Sequence, residues 1–315
     1  MPPNLIYEFG GLALESSVPL LGEKLKTESI NTSVISITEG EAYYPPERLI
    51  SKSTFLWADP LKTFSVYFRN ECYGLHFPNL ASFSIDPAKS HITVYSDTDQ
   101  ATLSHLLLDQ VLPRVLAHNG EIILHAGAVS IDGVSFAFIG QSGDGKSSMT
   151  ASFVQNGAEI LSDDALKLDL KSEPPSISGL YPSLRLWPQA LEGLNVEHEQ
   201  TSIMAHYSTK RRITMSSSGT PKKTTHTLNK VFLLQMNEIQ SDIQIQPLSD
   251  RELMLALVEC SFRLDPTDQI RGQRYFKQID KAKDKIKGYK LTYPRGYEYL
   301  PAVRSAIISH LKEVA

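Results

Sequence analysis

Short β-favouring runs make up most of the first third of the chain. They lie at residues 7–14, 33–37, 64–68, 73–77 and 91–95. Pro, Gly, Asn and Asp separate them, and these are the residues that end strands. Asp97 and Thr98 are cap candidates for a following helix whose apolar residues recur every three to four positions. That face comprises Leu103, Leu106, Leu107 and Val111. Pro113 is expected to kink or end the helix. The pattern predicts a small, mainly β domain over residues 1–118.

From residue 119 to 315 the pattern changes to strands interspersed with amphipathic helices. Predicted strands cover 122–124, 128–131, 134–139, 158–161, 165–170, 228–236, 243–247 and 289–293. Predicted helices cover 148–156, with Gly157 after its end, 253–258 with a cap at Ser249 or Asp250, 267–286 and 299–314. The last helix has Leu300, Val303, Ile307 and Leu311 on one face. This half is predicted to be an α/β domain with α+β character.

A tight hairpin is predicted at Asp132-Gly133, between two of these strands. The second strand leads directly into a glycine-rich segment. A purely parallel sheet would need a crossover at that place, so the hairpin predicts a mixed sheet.

The glycine-rich segment follows the pattern G-x-x-x-x-G-K-[ST]. It reads Gly140-Gln141-Ser142-Gly143-Asp144-Gly145-Lys146-Ser147 and continues into Ser148. In a phosphate-binding loop of this type, backbone N–H groups surround an anion, the lysine reaches the β- and γ-phosphates, and the hydroxyl ligates Mg²⁺. The flanking strand and helix are the context that the motif requires. The alternative is a glycine turn followed by an incidental Lys-Ser.

Phosphoryl transfer also needs carboxylates, and two follow a predicted strand. Asp163-Asp164 stands where ligands bind in α/β sheets, and bound Mg²⁺ would relieve the repulsion between the two charges. The alternative is a turn or helix-cap role. His125 ends another predicted strand, and the hairpin after it could bring this histidine close to the loop. The alternative is a structural histidine.

Several basic residues are further candidates. Arg185 either stacks on an aromatic ring or stabilises charge on a transferred phosphoryl group. Lys210, Arg211 and Arg212 precede a polar segment at 216–226, and Lys222, Lys223 and Lys230 lie in or after it. This cluster is either a solvated loop or a clamp on phosphate or an acidic peptide, and Arg295 is an additional candidate.

Composition narrows the class of protein. The chain has 315 residues, of which 41% are hydrophobic and 21% charged, as is typical of globular proteins. A net charge of −4 argues against nucleic acid as the main partner. Cys72 and Cys260 show no metal-ligand spacing and are expected to be free thiols. The start of the sequence has no signal-peptide pattern, and no apolar stretch has membrane-spanning length, so a cytoplasmic location without a membrane partner is expected.

The residues His125-Ala126-Gly127, the loop 140–148 and Ser162-Asp163-Asp164 together resemble the catalytic domain of the bacterial HPr kinase/phosphorylase family. The resemblance implies a phosphoenolpyruvate carboxykinase-like fold with a mixed sheet, and ATP as the phosphate donor. It also implies that Asp163 is the base, that Asp164 and Ser147 organise Mg²⁺, and that His125 lies against Asp163 and the transferred phosphate. The family's hexamers make a homo-oligomer an expectation.

After Asp164 the chain departs from that family, because it lacks the glycine-rich acidic signature associated with dephosphorylation. The segments 181–188, 210–212 and 293–296 are similar to a divergent group that includes lasso-peptide kinases. The expected function is therefore an ATP- and Mg²⁺-dependent kinase acting on a serine-type hydroxyl of a peptide or small protein. A small-molecule kinase and a non-catalytic nucleotide-binding regulator remain alternatives.

Overall fold

The computed structural model describes residues 5–21, 34–41, 43, 48–55, 62–181, 183–196, 201–214, 225–238 and 242–313. The chain groups into two compact units. The first comprises Met1–Glu121, Ile203–Lys210 and Phe262–Gly272, and the second comprises Ile122–Ser202, Arg211–Ser261 and Gln273–Ala315. The division into domains 1–118 and 119–315 stays a prediction. Within the described residues, none of the helices combines the length and apolar character needed to cross a membrane.

The first unit is built on an eight-stranded sheet with the order β1-β2-β3-β8-β7-β6-β5-β4. Its strands are β1 (Leu5–Phe9), β2 (Leu12–Ser16), β3 (Val34–Glu39), β4 (Arg48–Phe55), β5 (Lys62–Arg69), β6 (Cys72–Phe77), β7 (Ala81–Asp86) and β8 (His91–Tyr95). The prediction of a mainly β N-terminal region is confirmed. The single run predicted at 7–14 is wrong, because Gly10 and Gly11 take positive φ angles and turn it into an antiparallel hairpin.

Three helical segments follow the sheet without a break: α1 (Gln100–Leu106), a π-helical turn (Leu107–Val111) and α2 (Leu112–His118). The N-cap is Asp99, whose Oδ1 accepts a hydrogen bond from Thr102 N at 2.9 Å, and the predicted caps Asp97 and Thr98 are therefore wrong. Pro113 does not end the helical segment. It is the second residue of α2, which directly follows the π-helical turn, and the helical run continues through this residue although proline cannot donate a backbone N–H.

A histidine at the end of α2 makes the first unit sensitive to acid. His118 is buried and packs against Tyr73, with ring centroids 4.9 Å apart. Burial, reinforced by Arg271 and opposed by Asp268 and Asp265, lowers its pKa to about 4. Since the unfolded chain binds this proton near pH 6.5 and the folded chain only near pH 4, the histidine contributes stability that is present above pH 6.5 and lost on acidification to pH 4.

We therefore expect His118→Gln to lose less stability than the wild type between pH 7 and pH 4, as measured by urea unfolding at a series of pH values. Parallel curves for the two proteins would show that His118 titrates alike in the folded and unfolded states.

The second unit contains a nine-stranded mixed sheet. Along its main path the order is β12-β10-β11-β18-β14-β13-β9, and β20 pairs with both β18 and β19. Its strands are β9 (Ile122–His125), β10 (Gly127–Ile131), β11 (Val134–Ile139), β12 (Glu159–Ser162), β13 (Ala165–Asp169), β14 (Ser176–Gly179), β18 (His226–Asn237), β19 (Gln244–Pro247) and β20 (Lys287–Pro294). The long strand β18 pairs in parallel with β11 and β20 and antiparallel with β14.

The hairpin and the mixed sheet predicted from Asp132-Gly133 are confirmed. Both residues have positive φ angles, and Ile131 pairs with Val134 across the turn. β10 and β11 are antiparallel, whereas β11 and β18 are parallel.

Helices cover this sheet through aromatic and aliphatic side chains. They are α3 (Lys146–Val154), α4 (Pro188–Gly193), α5 (Asp250–Glu259), α6 (Gln269–Asp280) and α7 (Leu300–Glu313). Phe136, Phe138 and Phe232 of the sheet form one core with α3 and with the α7 stripe at Leu300, Val303, Ile307 and Leu311, which confirms that predicted stripe.

Two helices differ from their predicted bounds, and the predicted cap at Ser249 is confirmed. α3 begins at Lys146, two residues early, because the loop itself supplies its first turn. Ser249 is the cap of α5 and forms a capping box with Glu252. The helix predicted at 267–286 is shorter, since turns replace it after Asp280.

A small three-stranded sheet went unpredicted. It contains β15 (Ser183–Leu186), β16 (Thr201–Ala205) and β17 (Ser208–Thr214), in the order β15-β17-β16. These strands are short, and β17 is rich in charge, so neither apolar alternation nor length revealed them.

Candidate active site

The strand pairing in the nine-stranded sheet brings the predicted catalytic residues to the same edge as the phosphate-binding loop. Gly127 of β10 pairs with Phe138 of β11, and Ala128 pairs with Ser162 of β12. β10 therefore begins, and β12 ends, at the edge where β11 runs into the loop 140–145. As a result His125, just before β10, and Asp163-Asp164, just after β12, lie at the loop's edge of the sheet.

The loop has the backbone conformation that its glycines allow. Gly145 has a φ of 83° and caps α3 in the left-handed region. A Cβ at this position would lie 2.6 Å from Tyr293 Oη and 2.7 Å from Met236 Cε, so both conformation and space require glycine. Asp144 Oδ2 accepts a hydrogen bond from Gln141 N at 2.6 Å and closes the loop from within.

Lys146 lies inside the loop. Its side chain is buried, and its Nζ donates to the carbonyl oxygens of Gly140 and Gln141, each at 2.9 Å. Burial lowers the pKa of this ammonium, while the charges of Asp164, Asp144 and Asp163 act in the opposite direction. The ammonium lies at the N-terminus of α3. Its positive charge and the helix N-terminus both favour an anionic phosphate at this place.

The two adjacent aspartates differ in environment. Asp163 is 1% exposed, and its Oδ2 accepts a hydrogen bond from the backbone N–H of Arg185 at 2.8 Å. The side chain of Asp164 is 24% exposed, and its Oδ1 lies 2.8 Å from His125 Nε2. The resemblance implied that His125 contacts Asp163; the structure places its imidazole against Asp164.

Arg185 completes the cluster from the small sheet. Its buried guanidinium has Nη1 3.6 Å from Asp164 Oδ2. Arg185 of β15 pairs directly with Arg212 of β17, and Arg212 is also buried. Both guanidinium groups lie over the ring of Tyr181, at 6.0 Å and 5.5 Å from its centroid. The pairing places two like charges side by side, which is unfavourable by itself. It also concentrates positive charge beside the aspartates.

The other basic residues predicted to bind substrate are not brought together as expected. Arg211 donates to the hydroxyl and carbonyl oxygens of Thr201, and strand alternation places it on the face opposite Arg212. Lys210 precedes them on β17 and groups with the first unit. Arg295 forms an exposed ion pair with Glu238 at 3.2 Å.

One further member of the predicted basic cluster differs from the expectation, and two others are not tested. Lys230 is buried, and its Nζ donates to Leu311 O, near the end of α7, at 3.3 Å. Lys222 and Lys223 lie outside the described residues, as does the predicted segment up to residue 224. Of Lys210, Arg211, Arg212 and Arg295, Arg212 is the one that the sheet places beside Arg185.

A magnesium ion fits the donors at this edge only together with nucleotide phosphate. The described part of the chain contains no group of three or more His, Cys, Asp or Glu residues able to hold a metal by themselves. Mg²⁺ usually takes one or two protein carboxylates and completes its shell with phosphate and water. Ser147, Asp163 and Asp164 are residues of the right type for such an ion.

Two tyrosines of the site were not singled out from the sequence. Tyr293 Oη donates to Asp144 O at 2.8 Å and fixes the loop to β20, and burial raises the pKa of this phenol. Tyr181 lies under both arginines. Both lie in segments that resemble the divergent group, 181–188 and 293–296, but a single tyrosine has no pattern that marks it as a site residue.

Comparison with known proteins finds a distant likeness among solved structures. No family model matches the chain, and no curated protein matches it. Among solved structures, the HPr(Ser) kinase/phosphatase from Coxiella burnetii is similar, with 10% sequence identity and a TM-score of 0.33 over 61% of this chain and 92% of that chain. Residue roles in this chain therefore rest on its own geometry.

Proposed function

We propose that this protein is an ATP- and Mg²⁺-dependent phosphotransferase whose phosphate-binding loop is residues 140–148. The observation that carries the proposal is the meeting of that loop with His125, Asp164 and Arg185 at one sheet edge. A loop of this type only binds nucleotide, whereas transfer requires an acceptor-orienting carboxylate and positive charge near the γ-phosphoryl group.

We assign the acceptor-activating role to Asp164 rather than Asp163. A base must reach the hydroxyl whose proton it takes, and Asp164 is the more exposed of the two carboxylates. His125 contacts the same carboxylate and fixes its orientation. The hydrogen bond from Arg185 N to Asp163 anchors the small sheet to the end of β12 and so places the arginine side chain.

Positive side chains then stabilise the charge on the transferred group. Lys146 serves the β- and γ-phosphates from the loop side, and Arg185 serves them from the small sheet, with Arg212 adjacent. Ser147 and Asp163 would hold the magnesium ion, which would neutralise phosphate charge when bound, and Asp164 stays available for the acceptor hydroxyl.

The acceptor in this proposal is a serine-type hydroxyl on a peptide or small protein, such as a ribosomally made lasso peptide. This part is supported by the resemblance of the motifs at 125–127, 140–148 and 162–164 and of the segments 181–188 and 293–296. The small-molecule kinase and the regulator without transfer activity are outcomes of the test below.

Replacing the loop lysine tests nucleotide binding. Lys146→Met keeps the buried stem but removes the ammonium, and we expect ATP affinity to fall about 100-fold, since charge-assisted hydrogen bonds are worth roughly 1.5–3 kcal/mol each. Titration calorimetry with Mg²⁺-ATP measures the change. Lys277→Met, at an exposed position of α6, is the matched control.

Transfer itself is followed with γ-labelled ATP and candidate peptides or small hydroxyl compounds. Label on a small compound in place of a peptide indicates the small-molecule kinase. ATP binding that depends on Lys146 without any label transfer indicates the regulator and contradicts the phosphotransferase proposal.

A further inference from the structure

The phosphate-binding loop contains a carboxylate between two of its glycines. Asp144 is preceded by Gly143 and followed by Gly145, and the two glycines have φ angles of 100° and 83°. Left-handed residues alternating with ordinary ones are the backbone geometry that gathers N–H groups around an anion. An acidic side chain in such a segment opposes the binding of phosphate, because like charges repel.

Hydrogen bonds hold Asp144 within the loop. Its Oδ2 accepts a hydrogen bond from Gln141 N at 2.6 Å, and its own N–H donates to Gln141 O at 3.3 Å. Its carbonyl oxygen accepts a hydrogen bond from Tyr293 Oη at 2.8 Å. The same carboxylate oxygen lies against Gly140, where an added Cβ would be 3.0 Å from it. The carboxylate is therefore held against the backbone of the loop rather than directed away from it.

The side-chain charges of the loop cancel. Within residues 140–148 Lys146 carries the one ammonium and Asp144 the one carboxylate, since the other residues are glycine, serine and glutamine. The two charges interact: burial lowers the pKa of Lys146, and the charge of Asp144 acts in the opposite direction. A metal-free triphosphate therefore gains little net attraction from these side chains and depends on the backbone N–H groups and on the N-terminus of α3.

We propose that Asp144 makes the loop selective for a triphosphate that carries Mg²⁺, an inference that rests on the proposed phosphotransferase function. Magnesium neutralises part of the phosphate charge and so reduces the repulsion from a carboxylate that lies within the loop. Metal-free nucleotide keeps its full charge and is disfavoured. The loop then holds the form of donor that is ready for transfer, and nucleotide without its metal does not block the site.

The test compares metal-bound with metal-free ligands. Titration calorimetry with ATP and with inorganic tripolyphosphate, each in Mg²⁺ and in EDTA, gives the ratio of the metal-free Kd to the Mg²⁺-complex Kd. It is performed on the wild type, Asp144→Asn and Asp144→Ala, with Asp280→Asn at an exposed position of α6 as the matched charge control. Asparagine keeps an oxygen that can accept from Gln141 N, whereas alanine removes it. We expect the ratio to fall about tenfold in both Asp144 variants and to stay unchanged in the control.

Each contrary result has a separate meaning. If the wild type binds Mg²⁺-ATP but the ratio is unchanged in Asp144→Asn, the selectivity is overturned while the loop assignment stands. A ratio that falls in Asp144→Ala but not in Asp144→Asn assigns the effect to the hydrogen bond with Gln141 and overturns the role of the charge. Binding of Mg²⁺-ATP by each variant shows that it is folded. If the wild type binds neither ligand in either condition, the phosphotransferase proposal falls together with this one.

Discussion

Asp164→Asn is expected to bind Mg²⁺-ATP but to transfer phosphate about 10³-fold more slowly than the wild type, within the range that a positioned general base contributes. The amide keeps the size of the side chain and its contact with His125, but it no longer accepts the proton of the acceptor hydroxyl. Single-turnover transfer from γ-labelled ATP, with ATP affinity measured in parallel, separates the chemical step from binding.

Asp163→Asn and Asp280→Asn complete this experiment. Asp163 is buried and accepts the backbone N–H of Arg185, so its replacement should lower thermal stability as well as activity. Asp280 is exposed and pairs with Lys283, and its replacement should leave both unchanged. Transfer at the wild-type rate by Asp164→Asn, together with a folded but inactive Asp163→Asn, would return the base role to Asp163.

Phe136→Ala is expected to lower the free energy of unfolding by about 3–5 kcal/mol, the usual cost of removing a buried aromatic side chain. Phe136 is 0% exposed, and its ring centroid lies 5.5 Å from Phe138, 5.2 Å from Phe153 and 5.9 Å from Phe232. These rings join β11, the α3 helix and β18 beneath the phosphate loop. Urea unfolding followed by circular dichroism measures the loss.

Val134→Ala is the matched control because Val134 begins the same strand but is 42% exposed. Its effect should stay within about 0.5 kcal/mol, as for ordinary surface substitutions. Equal effects of the two substitutions would mean that the packed Phe136 ring contributes no more to the free energy of unfolding than an exposed position of the same strand.

Residues with a strong local signature could be predicted. Each of three features follows from a short pattern: the loop 140–148, the Asp132-Gly133 hairpin and the α7 stripe. Glycine spacing, turn residues and helical periodicity are all visible within a few residues of sequence. His125 and Asp163-Asp164 were identified for the same reason, as polar residues at strand ends.

Contacts set by distant pairing could not be predicted. The sequence does not reveal that Arg185 is opposite Arg212, because β15 and β17 are short and lie far apart in the chain. Likewise the contact between His125 and Asp164 depends on two strand pairings, because β9 pairs with β13 just after the turn at which β12 ends. Lys230 was grouped with a basic loop, whereas β18 carries it into the interior, against the end of α7.

The parallel pairing of β11 with β18 has a consequence for synthesis of the protein. Ser135 is opposite Leu228, so the strand that carries the phosphate loop leaves the ribosome well before the strand that completes its sheet. During that interval β11 presents an unpaired, apolar edge to other nascent chains. A lower growth temperature or added chaperone should therefore raise the yield of folded protein.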